Sequence, residues 1–208
     1  EEAGQEKVER PLAAWSTAVA TEGAVLHVHG EAARPVHLRH IRLGEGAAPM
    51  RLLVKLDKGA ALTLLESGAT ANSVAEIDVA PGATLQHARA QLAADKPTAT
   101  HLFARVAEGA TFKTFTLTAD GPLTRNEVVF DLAGDDAVGH AAGGILATGD
   151  AHVDNTVFVT HSGVNGESRQ VYKSVLDGKG RSVFQGKIFV RQPAQKTDGY
   201  QISQSILL

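Results

Sequence analysis

Histidines placed two residues apart are the first feature of this chain that could support chemistry. His27 and His29 are predicted to lie on one strand, so their side chains share a face. Imidazoles at that spacing bind zinc or iron when a carboxylate or a third histidine converges on them. Nothing in the sequence fixes such a third ligand, and a solvated strand face explains the pair equally well. The pair is therefore a metal-site hypothesis that lacks one ligand.

A second, looser group of such residues lies in the stretch HVDNTVFVTH. His152 and Asp154 would point the same way on a strand, and His161 lies further along the chain. A histidine beside a carboxylate can act as a general base or a metal site, because histidine titrates near neutrality. A polar surface patch, or a ladder of side chains stacked between repeats, is the favoured interpretation. We therefore predict no metal site, with these three residues as the weak candidates.

The glycine-rich segments do not match known nucleotide-binding loops. Residues 178–182, GKGRS, lack the GxxxxGK[ST] spacing, and residues 139–144, GHAAGG, miss the dinucleotide fingerprint. No serine occupies a GxSxG elbow. Cysteine is absent from the 208 residues, which excludes thiolate nucleophiles and Cys-based cluster sites within them. The sequence thus predicts a chain that is not an enzyme and binds no cofactor tightly.

Charge and hydropathy exclude two kinds of partner. A formal net charge of −3 and a pI near 6.3 give no electrostatic basis for binding nucleic acid or an anionic membrane. No apolar run approaches the roughly 20 residues that span a bilayer. The first ten residues, EEAGQEKVER, lack the apolar core of a signal peptide. We therefore expect a cytoplasmic protein with no nucleic-acid or membrane partner.

A repeat of strand-like runs around glycine corners predicts the architecture. Glycines at 59, 82, 109 and, more loosely, 134 are separated by 23, 27 and 25 residues, with alternating apolar runs on either side. A unit of that size cannot bury its own inner face, but stacked units bury a continuous one. We therefore predict an all-β chain with a parallel β-helix (β-solenoid) core, coiled in the right-handed sense. A barrel or jelly roll is the structural alternative, but it favours regular Asn-Gly or Asp-Gly hairpins, and such pairs are unevenly spaced here.

The chain divides into a short lead-in and one long domain. Residues 1–14 are polar and are predicted to be the remnant of an N-terminal helical segment, whereas residues 15–208 form the β-helix core. The last apolar run, residues 206–208, would leave an exposed strand edge, which folded domains usually cover. We therefore expect these residues to be part of a longer protein.

Residues 181–191 alternate between apolar and polar side chains, which is typical of a strand with one buried face. The predicted core-facing residues are Phe184, Ile188 and Val190, and the predicted outward residues are Lys187 and Arg191.

The segment 170–201 resembles the core of the SufB/SufD family of iron–sulfur cluster assembly proteins. The family's pattern is similar to QLYKxVLDxxxRxVFxGKIxV, followed by AQKTDxYQ. Its counterparts in this sequence are Gln170, Tyr172, Lys173, residues 175–177, Arg181, Val183, Phe184, residues 186–188, Val190 and residues 194–201. Upstream, the resemblance continues through residues 35–38, 72–76, 125–128 and 152–154. It covers most of the chain, and residues 194–201 are its specific part.

The resemblance implies a β-helix core whose flanking helical segments are missing from these residues. It also implies a non-catalytic scaffold subunit that pairs with a SufB-like paralogue and recruits a SufC-like ATPase through a C-terminal helical domain. Iron–sulfur clusters would be handled by the full complex rather than held tightly by this chain. The absence of cysteine favours the SufD-like branch of the family, because the SufB-like core is the one credited with thiolate ligands.

The resemblance places the partner interface at the C-terminal end of the solenoid. Strand pairing there with the SufB-like subunit, or with a second copy of the isolated chain, would cover backbone groups and apolar surface together. The predicted interface residues are Lys196, Thr197, Asp198, Tyr200, Gln201 and Ile206.

Two alternative functions remain open at this point. One is a SufB-like cluster scaffold, and the other is a β-helical carbohydrate-active enzyme. One tryptophan and two tyrosines offer few aromatic rings for a sugar-stacking groove, and a fold alone does not define a function.

Overall fold

The computed structural model describes residues 9–41, 49–68, 72–92 and 95–208. These residues form one helix and fourteen strands. The elements are α1 (Pro11–Val19), β1 (Glu22–Val28), β2 (Val36–His40), β3 (Met50–Leu56), β4 (Ala61–Gly68), β5 (Asn72–Val79), β6 (Thr84–Leu92), β7 (Thr98–Val106), β8 (Thr111–Ala119), β9 (Thr124–Leu132), β10 (Val138–Ala147), β11 (His152–His161), β12 (Glu167–Leu176), β13 (Arg181–Val190) and β14 (Asp198–Leu207).

The strands alternate between two seven-stranded sheets. Odd-numbered strands form sheet A in the order β1-β3-β5-β7-β9-β11-β13, and even-numbered strands form sheet B from β2 to β14 in the same manner. All pairings within the two sheets are parallel. One odd strand and the even strand that follows it make one turn of a coil, and successive turns stack. The predicted parallel β-solenoid is confirmed, and the hairpin-based alternatives are excluded.

The corner that follows each odd strand from β3 onward, here called the first corner, contains one residue in the left-handed conformation. In stack order these residues are Gly59 (φ 69°), Gly82 (67°), Gly109 (59°), Asp136 (57°), Asn165 (58°) and Lys196 (57°). The corners also bond to one another, since the amide of Gly59 donates to the carbonyl of Pro81 and the amide of Gly82 to that of Glu108. The first corners therefore stack as regularly as the strands do.

Gly134, predicted as the fourth glycine corner, does not belong to this column. Asp136 takes the left-handed position two residues later, because aspartate and asparagine are among the non-glycine residues that adopt this conformation most readily. Gly134 serves a different need, since a Cβ added there would overlap backbone atoms of Glu108 in the preceding turn. The predicted repeat exists, but its fourth member is displaced by two residues.

The interior between the sheets has an apolar half and a polar half. Beside the first corner, the inward positions hold stacked aliphatic and aromatic side chains, and Phe112 meets Phe130 edge to face with ring centroids 5.6 Å apart. At the opposite side of the coil, the inward positions carry polar groups such as Thr100, Asn126 and Thr118. The Asn126 amide accepts a 2.8 Å bond from the Thr100 hydroxyl and donates a 3.2 Å bond to the Thr118 hydroxyl. The fully buried residues of the apolar half include Val54, Leu56, Leu64, Leu85, Phe112, Phe130 and Leu132.

Helix α1 packs on the outer face of sheet A. Proline in its first turn suits a helix start, because the N–H that proline lacks would have no intrahelical acceptor there. Ala13 belongs to a buried apolar cluster that also contains side chains of four neighbouring strands, namely Val74, Phe103, Val129 and Phe158. The predicted boundary at residues 14–15 falls inside this helix, which runs on to Val19, while residues 1–8 of the lead-in lie outside the described residues. In the part of the chain that is described, no helix is long and apolar enough to cross a membrane.

Candidate functional site

Strands β13 and β14 end sheets A and B, and their outer edges are together called the C-terminal edge. Among the described residues each strand pairs on one side only. The predicted alternation of β13 is visible in its burial, because Phe184 packs against the core, Ile188 is half-buried and Lys187 and Arg191 are exposed. Val190, predicted to face the core, is 45% exposed because it lies at the end of an edge strand.

The predicted interface residues lie on β14 and the corner before it. Tyr200 and Ile206 share the outward face of β14 and are 48% and 61% exposed. Gln201 points the other way, over Gly186 of β13, where an added Cβ would overlap its side chain. Thr197 is half-buried, and the other five predicted interface residues are exposed. The residues thus occupy one end of the stack but present two different faces.

Asp198 forms an ion pair within the chain. Its carboxylate accepts a 2.6 Å hydrogen bond from Arg169 Nη2 on β12. That bond lowers the pKa of Asp198 and raises the pKa of the Arg169 guanidinium. The pair ties the last two strands of sheet B together.

His152, Asp154 and His161 are not brought together. His152 and Asp154 do share the outward face at the start of β11, where Arg125 Nη1 bonds to Asp154 at 2.8 Å. His161 lies at the other end of this ten-residue strand, points inward and is fully buried. Its Nε2 is 2.9 Å from the Ser168 hydroxyl, and burial lowers its pKa. The geometry therefore gives these three residues no shared metal site.

His27 and His29, by contrast, meet a carboxylate that sequence reasoning missed. Asp57, in the turn after β3, lies 2.8 Å from Nε2 of His27 and 2.7 Å from Nδ1 of His29. We call these three residues the histidine–aspartate triad.

A group of buried polar residues in the polar half of the interior was also missed, and we call it the Glu66 group. Glu66 points inward from β4 and is 5% exposed. It accepts hydrogen bonds from His40 Nε2 at 2.9 Å, from His87 Nε2 at 2.8 Å and from Arg89 Nη2 at 3.1 Å. The second ring nitrogen of His87 is 2.9 Å from the hydroxyl of Thr114. The group therefore connects four successive strands of sheet B.

The charges of the Glu66 group are balanced. Burial alone would raise the pKa of Glu66, but the Arg89 charge and the bonds from His40 and His87 outweigh burial and hold this pKa well below its usual range. Burial also lowers the pKa of His87, so at neutral pH its Nε2–H donates to Glu66 and its Nδ1 accepts from Thr114. A closed set of paired groups such as this one is suited to a structural role.

The fold places the chain among the parallel β-solenoids, with a helix on one sheet and apolar strand edges at the end of the stack. Its sequence matches the family model described as SUF system FeS cluster assembly, SufBD core domain, over residues 40–208. The chain therefore belongs to the SufB/SufD family, as the resemblance in residues 170–201 predicted, and it is a SufD-like member. It is 29% identical over 192 residues to the iron-sulfur cluster assembly protein SufD of Escherichia coli (strain K12). That alignment covers 85% of this chain and 45% of the relative, so the chain spans about half the length of the curated relative it matches.

Proposed function

We propose that this chain is the core of a cytoplasmic, non-catalytic scaffold subunit for iron–sulfur cluster assembly. The observation that carries the proposal is the match to the SufBD core domain over residues 40–208, which include strands β3 to β14. The Escherichia coli relative carries iron-sulfur cluster assembly in its name, which supports the same role for this chain.

The perturbed carboxyl groups give no support to the carbohydrate-cleaving alternative. Among the described residues, the carboxyl groups with a lowered pKa are Asp57, Glu66, Glu127 and Asp198. At Glu127 burial alone would raise the pKa, but the His101 hydrogen bond and the Arg10 charge outweigh it. A carbohydrate-cleaving enzyme needs one carboxylic acid that stays protonated near neutral pH, which requires a raised pKa. These four groups are held in the opposite, charged state.

The chain is proposed to hold no iron–sulfur cluster by itself, because it contains no cysteine to supply thiolate ligands. Anaerobic reconstitution with iron and sulfide, followed by desalting, should leave no visible cluster absorption. A stoichiometric cluster that survives desalting would refute this part of the proposal.

Pairing with a SufB-like paralogue is proposed to take place at the C-terminal edge. Edge strands can add a strand from a partner, whose backbone satisfies the open donors and acceptors while side-chain contacts give specificity. The apolar side chains exposed on these strands and beside them are Val183, Phe189, Val190, Tyr200, Ile206, Leu207 and Leu208. When the paralogue is absent, the same edge is proposed to pair two copies of this chain.

A SufC-like ATPase is the second proposed partner. The family resemblance supports this partnership through a C-terminal helical domain rather than through the coil itself. The two partnerships can therefore be separated by changing only the coil.

Co-purification of the full-length protein with its SufB-like and SufC-like partners tests the proposal. Ile206→Arg, which places a charge on the C-terminal edge, should weaken paralogue binding by at least about tenfold, as loss of an apolar anchor does. Retention of the ATPase should be unchanged. Val25→Arg is the matched control, because Val25 is a 69% exposed apolar residue on β1 at the opposite end of the stack.

Three outcomes separate the parts of the proposal. Loss of paralogue binding in the Ile206 variant alone supports the C-terminal edge as the interface. Equal binding by both variants would refute the interface assignment, and failure of the unaltered protein to bind either partner would refute the scaffold role.

A further inference from the structure

The histidine–aspartate triad lies on the outer surface at the β1 end of the stack. Its three ligand atoms, one from each of His27, His29 and Asp57, all lie within 4.8 Å of one another. The imidazole rings are tilted against each other, with centroids 4.0 Å apart. Two imidazole nitrogens and one carboxylate oxygen at such distances can contact a single ion.

Strand register explains why these residues converge. His27 and His29 are two residues apart in an extended segment, so their side chains share a face. The pairing of β1 with β3 aligns Val28 with Leu56, and the amide of Asp57 continues the ladder by donating to the carbonyl of Val28 at 2.9 Å. Asp57 is therefore the neighbour of His29 in the next turn and lies diagonally across from His27.

The protonation of the triad can adjust to a cation. Nε2 of His27 and Nδ1 of His29 both face the Asp57 carboxylate at hydrogen-bond distance. Metal binding requires each ring to carry its proton on the nitrogen that does not face Asp57. The side chains of His27 and His29 are 41% and 71% exposed, so water can accept a hydrogen bond from the relocated N–H.

The surroundings leave room for further ligands. His27 and His29 line an open groove of about 350 Å³. Three protein ligands together with open positions are the arrangement of metal sites that exchange water or other small ligands.

We propose that His27, His29 and Asp57 form a binding site for one divalent first-row transition-metal ion. The ligands are Nε2 of His27, Nδ1 of His29 and a carboxylate oxygen of Asp57. Imidazole favours such ions, whereas Mg²⁺ prefers an all-oxygen shell. The site is mononuclear and uses no thiolate, so it is distinct from an iron–sulfur cluster, and it does not depend on the scaffold role.

Titration of the metal-depleted chain tests the site directly. Calorimetry with Zn²⁺, anaerobic calorimetry with Fe²⁺ and visible spectroscopy with Co²⁺ should each show one saturable equivalent, and Mg²⁺ should show none. Asp57→Asn and His29→Ala should each weaken binding by at least about tenfold, which is the range seen even for loss of an indirect metal partner.

Two control variants show whether weaker metal binding is specific to the triad or follows from the loss of any exposed histidine or nearby charge. His37→Ala removes another exposed histidine, bonded at 2.8 Å to Ser67 in sheet B, and should leave the binding curve unchanged. Lys55→Ala alters the residue opposite His27 in the β1–β3 register without removing a ligand, and it should retain the site. Circular dichroism melts of all variants show whether each is folded.

The result decides the proposal in either direction. One equivalent that is lost in both triad variants and kept in both controls supports the site. The proposal is overturned if the chain binds no metal saturably, or if the folded triad variants bind as well as the controls do.

Discussion

Replacing Glu66 by glutamine should destabilise the solenoid strongly, because the change removes the negative charge from the centre of the Glu66 group. The side chain of Glu66 is 4% exposed and that of Arg89 is 8% exposed, so solvent cannot screen the Arg89 charge that remains after the change. The glutamine retains the size of the side chain. The variant therefore tests the loss of charge rather than the creation of a cavity.

The expected magnitude follows from the burial of the pair. Removing one member of a buried ion pair leaves the other charge uncompensated and typically costs about 3–5 kcal/mol. For a chain of about this size, each kcal/mol lowers the melting temperature by about 2–4 °C, so a decrease of roughly 6–20 °C is expected. His40 and His87 also lose a charged acceptor, which acts in the same direction.

Urea denaturation followed by circular dichroism measures this change in the free energy of unfolding. Glu76→Gln is the matched control, because Glu76 pairs with Arg51 on the outer face of sheet A and its side chain is 30% exposed. Loss of such an exposed pair should cost less than about 1 kcal/mol. The double variant Glu66→Leu with Arg89→Met should recover much of the loss, since apolar replacements of a buried pair are often neutral.

The pH dependence gives a second readout for Glu66. Its pKa in the folded state lies well below the ordinary value of 4.5, so its stabilising effect is complete above pH 4.5 and is lost as the pH falls through the folded-state pKa. The difference between the unaltered chain and Glu66→Gln should therefore shrink below pH 4.5. The lowered pKa of His87 has the same sign and makes stability decline as the pH falls below 6.5. If Glu66→Gln and Glu76→Gln cost the same at pH 7, the argument from burial is wrong.

Three further predictions address the strand phase, the corners and the interior. Ile188→Ala should lower the free energy of unfolding by about 2 kcal/mol, the low end for a buried isoleucine because this one is half-buried. Lys187→Ala should lower it by less than about 0.5 kcal/mol, and equal melting temperatures would contradict the assignment of Ile188 to the inward face of β13. Asp136→Gly should be tolerated because the residue already has positive φ, whereas Gly134→Ala should lower the melting temperature because its Cβ would overlap the backbone of Glu108. A lower melting temperature for Asp136→Gly than for Gly134→Ala would contradict the assignment of the corner to Asp136. Asn126→Ala should lower the free energy of unfolding by about 1–3 kcal/mol because it removes the acceptor of the buried Thr100 hydroxyl, and an unchanged urea midpoint would show that this bond contributes nothing.

The solenoid itself could be predicted because its signals are local. Glycine at 59, 82 and 109 marks corners that require positive φ, and alternation within 181–191 marks one buried face. The fourth corner was misplaced because Asp136 satisfies the same backbone requirement without being glycine. The predicted β core begins too early, because residues 15–19 belong to a helix whose segment LAAWSTAVA is rich in alanine, the strongest helix former.

The triad and the Glu66 group could not be predicted because their residues meet across turns of the coil. The spacing between equivalent corners varies from 23 residues between Gly59 and Gly82 to 31 between Asn165 and Lys196, so the repeat does not fix which residues become neighbours. Only the three-dimensional register places Glu66 beside Arg89. The sequence does indicate that Glu66 points inward, since it follows Leu62 and Leu64 at a spacing of two residues on the same strand. A charged residue at such a position needs buried partners, which are found on the neighbouring turns.

The two proposed binding surfaces are far enough apart to be tested independently. Sheet A places β1 and β13 at opposite ends, six strand spacings apart, or about 29 Å at roughly 4.8 Å per spacing. A metal ion on the triad therefore cannot contact a partner strand added at the C-terminal edge. Effects that pass through the coil would have to cross the stacked interior layers between the two ends, the Glu66 group among them. Ile206→Arg should therefore leave metal affinity unchanged, and Asp57→Asn should leave paralogue binding unchanged. A change in either cross-measurement would show that the solenoid transmits strain along its axis rather than acting as a rigid spacer.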